Sequence, residues 1–169
     1  KNLINFSKTK KSPISIDLII SNTIKAKGLK YSNQYKIKKK ILNFKNIRIA
    51  EKRLLNLLKQ NKIQFICLAG FMKILSSKFI KQFNGKIINI HPSLLPRYKG
   101  LNTHSRAIQN KDKFTGCSVH YVTEKLDSGK IIIQKKIKIL KKDTPKSLAK
   151  KVLKQEHKLY PKAILKIFN

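Results

Sequence analysis

Three polar residues stand where predicted strands end. Asn89 and His91 lie two residues apart at the end of the apolar run KIINI (86–90), so an extended backbone points their side chains to the same side. Asp127 follows another apolar run, CSVHYVT (117–123), in the turn EKLDSGK. We expect these side chains to converge at one edge of a sheet. An amide donor, an imidazole and a carboxylate that keeps the imidazole protonated can perform acid–base chemistry and stabilise an oxyanion.

The same residues also have plain structural explanations. A single loop histidine is more often structural than catalytic, and Asp in the sequence LDSG is a natural turn former. Pro92 and Pro96 prevent continued sheet or helix, which predicts a rigid loop after the strand. His104 and His120, at a helix start and within a strand, favour structural roles. From spacing alone, the catalytic and structural interpretations of His91 both stay open.

Apolar runs alternate with amphipathic segments along the chain, which predicts an α/β fold with a mostly parallel twisted sheet flanked by helices. The last two predicted strands, 117–123 and 130–139, are compatible with antiparallel pairing at the edge of the sheet. The last helix is predicted to start at Asp143-Thr144-Pro145, and Pro161 to kink or restart it. One domain is expected over residues 1–169. The predicted strands are 15–21, 63–69, 86–90, 117–123 and 130–139, and the other predicted helices are 48–62, 76–83 and 102–110.

The net charge of +33 comes from 40 basic against 7 acidic residues, and 36 of the basic residues are lysine. Such a charge is compatible with nucleic-acid binding. A selected nucleic-acid surface is richer in arginine and stacking aromatics, however, and neither is enriched here. Codon bias toward adenine and thymine explains abundant Lys, Ile and Asn equally well. We therefore expect no nucleic-acid function, but do expect attraction of small anions.

No apolar run is long enough to span a membrane and no opening segment has the pattern of a signal peptide, so a cytoplasmic protein is expected. Cys67 and Cys117 are 50 residues apart, each within an apolar stretch. No second cysteine stands at metal-ligand spacing from either. We interpret them as buried free thiols and expect no metal site.

Four long segments, in order and at matching intervals, resemble the glycinamide ribonucleotide formyltransferase family, folate-dependent enzymes of purine synthesis. The resemblance runs from about residue 15 to the end of the chain and implies a Rossmann-like formyltransferase fold. It also implies transfer of a formyl group from 10-formyltetrahydrofolate to the amine of 5-phosphoribosylglycinamide, without a metal. The segments are LAGFMKILS (68–76), NIHPSLLPRYKGLNTH (89–104), GCSVHYVTEKLDSGKII (116–132) and QEHKLYP (155–161).

Two related families share the Asn-x-His and Asp pattern. Methionyl-tRNA formyltransferases have a Gly-Ala-Ala-Pro-type stretch where this chain has GLNTH (100–104), and formyltetrahydrofolate deformylases have a second histidine in place of Pro92 and Phe in place of Leu94. Neither departure is present, which favours the small-substrate transferase. A related formyltetrahydrofolate-using enzyme, an inactive truncated copy and a basic nucleic-acid-binding protein remain the alternatives.

The resemblance also implies roles for individual residues. Asn89, His91 and Asp127 match the catalytic positions, and Glu156 matches the acidic residue that holds the substrate amine. Asn2 matches the end of a phosphate-binding loop. The expected partner is the small substrate, with the chain a monomer or homodimer and no membrane involved. The implied folate-binding residues are Met72, Lys73, Ile74, Leu75, Asn89, Val122, Thr123, Leu126 and Asp127.

The start of the chain departs from the family pattern. The family opens with a strand and a glycine-rich loop that holds the ribonucleotide phosphate at a helix N-terminus. KNL (1–3) is similar to the tail of that loop only. The resemblance therefore predicts an N-terminally incomplete domain in which the folate site is better preserved than the phosphate site.

Overall fold

The computed structural model describes residues 1–168, and within them six α-helices and six β-strands. A short 3-10 helix, Lys27–Leu29, precedes α2. The helices are α1 (Asn2–Ser7), α2 (Lys30–Gln34), α3 (Ile47–Gln60), α4 (Ser77–Gln82), α5 (Thr103–Gln109) and α6 (Pro145–Phe168), and the strands are β1 (Leu18–Ser21), β2 (Lys38–Ile41), β3 (Phe65–Leu68), β4 (Lys86–His91), β5 (Phe114–Tyr121) and β6 (Ile131–Lys138).

The strands form two sheets. β1 and β2 pair in parallel, and the other four strands are ordered β3-β4-β5-β6. β5 runs antiparallel to both β4 and β6. The predicted α/β class is confirmed, but the sheet is mixed rather than mostly parallel, because β4, β5 and β6 form consecutive antiparallel pairs.

The chain divides into two compact units. Unit 1 comprises residues 1–66 and 73–86, and unit 2 comprises residues 67–72 and 87–169. The single domain expected over 1–169 stays a prediction. None of the helices within residues 1–168 has the length and apolarity needed to cross a membrane.

In unit 1, helix α3 follows the predicted amphipathic pattern and begins one residue early. Asn46 caps it by accepting a hydrogen bond from the Ile49 N–H at 3.2 Å, which satisfies one of the free donors of the first turn. Leu54 and Leu58 are buried on its inner face. The buried Glu51 on the same face accepts from the N–H and hydroxyl of Ser76, which in turn caps α4.

In unit 2, the long helix α6 packs on β5, β6 and α5. Thr144 caps it as predicted, accepting from the Ser147 N–H at 3.1 Å. The prediction that Pro161 restarts the helix is wrong, because α6 continues to Phe168 with Pro161 inside it. Buried residues on both sides, Tyr160 and Ala163, hold the helix against the sheet there, and this packing outweighs the lost backbone hydrogen bond.

Tyr160 joins α6 to two strands of the sheet. Its hydroxyl lies 2.7 Å from the carbonyl oxygen of Leu68 and 3.2 Å from that of Ile88. Cys67 lies beside it, and burial raises the pKa of that thiol to about 12 against the opposing effect of the Tyr160 hydrogen bond. Cys117 is fully buried and also free, and burial raises its pKa to about 12. Both cysteines are free thiols, as predicted, although Cys67 is only half-buried.

Strand β6 ends the four-stranded sheet and is rich in lysine on its exposed positions. Lys135, Lys136 and Lys138 all face solvent. The ammonium of Lys136 lies 3.8 Å from the centre of the Phe114 ring on the neighbouring strand, a cation–π contact. The outer edge of this sheet is therefore cationic.

Candidate active site

Strand β4 places Asn89 and His91 beside one cluster of polar side chains, as the two-residue spacing predicts. Asn89 lies opposite His120 of β5 in the antiparallel register. Its Nδ2 is 3.5 Å from His120 Nε2. His91 is buried, and its Nδ1 is 3.3 Å from Asp127 Oδ2. Asn89, His91, His120 and Asp127, all within unit 2, are referred to below as the polar cluster.

Both ring nitrogens of His91 face hydrogen-bond acceptors. Nδ1 lies against the Asp127 carboxylate, and Nε2 is 2.8 Å from the backbone carbonyl oxygen of Tyr98. A neutral imidazole has one N–H and satisfies only one of these acceptors, whereas the doubly protonated ring donates to both. The two acceptors therefore match the two N–H donors of a doubly protonated ring.

Asp127 is a half-buried residue of the loop that joins β5 to β6, and its side chain is 8% exposed. Its Oδ2 accepts from the Gly100 N–H at 2.9 Å, and its Oδ1 lies 3.5 Å from His120 Nε2. Burial by itself raises the pKa of the Asp127 carboxyl, but the hydrogen bonds from His120 and Gly100, with the charges of His91 and His120, outweigh it and hold the pKa below its usual value. Asp127 is therefore ionised at neutral pH.

The expected convergence of Asp127 and His91 occurs, but not for the expected reason. β5 runs antiparallel to β4, so its last residue, Tyr121, lies beside Ile88 rather than beside His91. The loop after β5 turns back to bring Asp127 to the histidine. This tight return needs Gly129, where an added Cβ would lie 1.8 Å from the Tyr121 carbonyl oxygen. The site is thus completed by a loop rather than by two strand ends.

His120 is the member of the cluster that the sequence analysis did not assign to the site. Its side chain is 2% exposed, its Nδ1 is 2.8 Å from the Tyr121 carbonyl oxygen, and its Nε2 lies 3.5 Å from both Asn89 and Asp127. An antiparallel register between β4 and β5 would have identified it, because that register sets it opposite Asn89. Among the described residues 1–168, the buried Nδ1 of His104 has no hydrogen-bond partner. Burial, and then the charge of His91, lowers the pKa of His104.

The proline loop after β4 is fixed to the sheet by two side chains. The Ser118 hydroxyl donates to the Ser93 carbonyl oxygen at 2.6 Å and accepts from the Leu95 N–H at 3.1 Å. Gln134 Nε2 donates to the Leu95 carbonyl oxygen at 2.9 Å and to the Ser118 hydroxyl at 2.8 Å. The Leu95–Pro96 peptide bond is cis. These contacts attach the loop to the sheet, as a rigid loop requires.

Glu156 lies on α6 and is partly buried. Burial raises the pKa of its carboxyl to about 7, and its charge adds to burial in raising the pKa of Cys117. Within residues 1–168 the Glu156 carboxylate has no hydrogen-bond or ion-pair partner. In a chain with 40 basic residues, an unpaired carboxylate is available to an external cation or hydrogen-bond donor.

The other predicted ligand-binding residues are divided between the units. In unit 2, Val122 is half-buried and Thr123 exposed, while the apolar side chains of Met72 and Leu126 are 77% and 48% exposed. Leu126 lies close to Gly100, whose added Cβ would meet it at 3.6 Å. An exposed apolar side chain such as Leu126, one residue from Asp127, suits contact with a flat organic ligand.

Unit 1 contains the remaining residues predicted to bind ligands. Lys73 and Ile74 are exposed, and Asn2 is half-buried at the start of α1. Leu75 is 6% exposed, so it offers a ligand its backbone rather than its side chain. Within residues 1–168, no group of three or more His, Cys, Asp or Glu side chains is arranged to hold a metal ion.

A histidine held between two hydrogen-bond acceptors, with an amide and a carboxylate in the same polar cluster, is an arrangement that can stabilise an oxyanion. The family model described as "Formyl transferase" matches residues 1–164. The chain therefore belongs to the formyl transferase family, which confirms the family predicted from the sequence.

Comparison with individual proteins shows which members of this family the chain is similar to. Phosphoribosylglycinamide formyltransferase of Haemophilus influenzae is 40% identical over 90% of this chain and 73% of its own length. The crystal structure of phosphoribosylglycinamide formyltransferase from Bacillus halodurans superposes with a TM-score of 0.93 at 33% identity, covering 99% of this chain and 88% of that one. The human "Trifunctional purine biosynthetic protein adenosine-3" is 38% identical over 96% of this chain. This chain spans only 16% of that protein's length.

Proposed function

We propose that the chain transfers the formyl group of 10-formyltetrahydrofolate to the amine of 5-phosphoribosylglycinamide, a step of purine synthesis. The observation on which the proposal rests is His91, held between two acceptors and beside Asn89. The names of the relatives support the choice of substrates. The net charge of +33 also suits two anionic substrates, because it raises their local concentration.

In the proposed reaction, the substrate amine attacks the formyl carbon and a new C–N bond forms, giving a tetrahedral oxyanion. Asn89, whose side chain is only half-buried, donates from Nδ2 to that oxygen. Both N–H groups of His91 are already engaged, so His91 stabilises the oxyanion mainly through its positive charge. Collapse of the intermediate breaks the bond from carbon to the folate nitrogen.

Proton transfer completes the reaction. The attacking amine loses a proton and the departing folate nitrogen gains one, and a water held by Asp127 can relay it. Asp127 is suited to this role because its pKa is held low, so it remains a hydrogen-bond acceptor throughout. Glu156, unpaired and partly buried, would hold the substrate amine.

The folate co-substrate fits the residues of unit 2. The loop from Val122 to Asp127 presents the exposed Leu126 beside Gly100, and backbone groups there can bind the polar edge of a pteridine. Met72 adds a second exposed apolar side chain in the same unit. Thr123 completes the part of the proposed folate site that lies in unit 2. Folate binding by Lys73, Ile74 and Leu75 and phosphate binding by Asn2, all residues of unit 1, stay predictions. A cytoplasmic location and a monomeric or homodimeric state stay predictions.

The test is an assay of the purified chain with both substrates. We expect release of tetrahydrofolate, followed by absorbance, together with an equal amount of formylated ribonucleotide. His91→Ala should lower turnover by about a hundredfold, the usual cost of losing one oxyanion-stabilising group. Asp143→Asn is the matched control, because within residues 1–168 the Asp143 carboxylate bonds Leu140, Ser147 and Lys151, which lie outside the polar cluster.

Other results would identify the alternatives. Release of formate without the ribonucleotide would indicate a deformylase, and formylation of methionyl-tRNA would indicate the tRNA-dependent relative. Tight duplex DNA binding with a steep salt dependence, and no turnover, would indicate a basic binding protein. Turnover that survives His91→Ala would remove the catalytic assignment.

A further inference from the structure

We infer that Tyr98 and Asp112 are positioning residues for His91. They belong to a set of five residues, Arg97, Tyr98, Arg106, Asn110 and Asp112, referred to below as the tyrosine clamp. The inference rests on the proposed function, since it assigns these residues to the same reaction. None of them belongs to the polar cluster, and all lie within unit 2.

The backbone next to Tyr98 contacts both charged members of the polar cluster. The Tyr98 carbonyl oxygen accepts from His91 Nε2 at 2.8 Å, and the Gly100 N–H donates to Asp127 at 2.9 Å. Tyr98 has a φ of 54°, in the left-handed region that residues other than glycine rarely adopt. A strained backbone of this kind persists only where its surroundings hold it. Its position therefore depends on what fixes the Tyr98 side chain.

The Tyr98 hydroxyl is fixed by the only acid in the clamp. It donates to Asp112 Oδ2 at 2.6 Å and accepts from Asn110 Nδ2 at 2.9 Å. The other oxygen of Asp112 accepts from Arg97 Nη2 at 2.8 Å, and the Asp112 side chain is only 10% exposed. A half-buried tyrosine whose hydroxyl both donates to a carboxylate and accepts from an amide has little freedom to rotate.

Two guanidinium groups also lie over the Tyr98 ring. The Arg97 and Arg106 guanidinium carbons are 5.2 Å and 5.0 Å from its centre. Arg106 Nη1 additionally donates to the Lys99 carbonyl oxygen at 2.8 Å. The chain has 36 lysines and only four arginines, yet two of those four contact this ring. Planar stacking and forked donation are what arginine provides and lysine does not.

These contacts form one path from Asp112 to the reacting histidine. The Asp112 carboxylate accepts from the Tyr98 hydroxyl and so fixes the Tyr98 side chain. The fixed side chain stabilises the strained Tyr98 backbone, and the Tyr98 carbonyl oxygen sets the direction of the His91 Nε2–H. Because the reaction depends on the orientation of His91, a small displacement of that carbonyl should lower turnover without changing how substrates bind.

The test compares Tyr98→Phe and Asp112→Asn in the natural chain and in His91→Ala. Tyr98→Phe keeps the ring and removes the hydroxyl. Tyr35→Phe is the matched control, because the Tyr35 hydroxyl bonds Asn5 at 2.8 Å in unit 1. In the natural chain, we expect Tyr98→Phe and Asp112→Asn each to lower kcat by about tenfold and to change KM by less than about twofold. In the His91→Ala background, each should lower kcat by less than about a further twofold, because the effects of residues that act through the same group are not additive.

A nuclear magnetic resonance measurement tests the same inference without turnover. The His91 Nε2–H proton should exchange slowly with water in the natural chain and at least about tenfold faster in Tyr98→Phe, because its acceptor is less fixed. Unchanged exchange would overturn the inference, even if the natural chain proved unable to transfer formyl groups and the proposed function failed. A merely structural role predicts equal losses in both backgrounds, which would also overturn it, as would unchanged kcat in both variants.

Discussion

Replacing Asp127 with asparagine removes the negative charge of the polar cluster while keeping its shape. The carboxylate lies 3.3 Å from His91 Nδ1, and both side chains are less than a tenth exposed. At an effective dielectric constant of about 20, two unit charges at this separation attract by about 5 kcal/mol. Desolvation offsets part of this attraction, so we take about 3 kcal/mol as the loss.

A loss of about 3 kcal/mol in transition-state stabilisation corresponds to a fall of about a hundredfold in kcat. The proposed mechanism places this loss in kcat, because His91 acts on charge that develops only in the transition state. The assay is formyl transfer from 10-formyltetrahydrofolate, with initial rates measured over a range of both substrates. The folded fraction of each variant is checked by thermal unfolding.

Asp143→Asn serves as the control for loss of one carboxylate. Hydrogen bonds from Lys151 and the Leu140 N–H lower the pKa of Asp143 to about 2, but its partners are near the start of α6. This variant should keep kcat unchanged while losing some stability. The reasoning would be refuted by a folded Asp127→Asn variant that retains more than about a tenth of the natural kcat.

Three further predictions concern other residues. Because the pKa of Glu156 is raised to about 7, KM for the ribonucleotide should rise as pH falls from 8 to 6, and Glu156→Gln should abolish that dependence. The same raised pKa means that ionisation disfavours the folded state as pH rises through 7, so Glu156→Gln should increase the unfolding free energy at pH 8 by up to about 3 kcal/mol in denaturant titrations. His120→Asn should lower kcat by about tenfold, because it disturbs both Asn89 and Asp127; an unchanged kcat would restrict His120 to a structural role. Cys67 and Cys117, with pKa values of about 12, should react with a thiol reagent at pH 8 only after unfolding, and rapid labelling of the native chain would contradict this.

Sequence periodicity predicted the strand that presents Asn89 and His91, because a period of two fixes which residues share a side. It could not predict how Asp127 reaches them. That depends on the antiparallel direction of β5 and on a return loop closed at Gly129, neither of which is visible in local spacing. His120 was missed for the same reason, since strand register is a tertiary property.

The elements that the sequence did not predict, β2, α1 and α2, are short. Strand β2 (Lys38–Ile41) is exposed at all four positions, so it has no apolar alternation to detect. Helices α1 and α2 have six and five residues, too few for a helical period to stand out. For Pro161 the local rule offered a kink or a restart of the helix, and the restart does not occur because α6 continues through Pro161.

The lysine-rich edge strand β6 bears on how copies of this protein meet one another. An unpaired strand edge is a template for the same edge of a second molecule, and uncontrolled pairing leads to aggregation. Here Lys135 and Lys138 are exposed on that strand, while the Lys136 ammonium lies over the Phe114 ring of the neighbouring strand. Two approaching edges would bring four exposed lysines together, and their repulsion, which salt screens, would oppose the pairing of the edges.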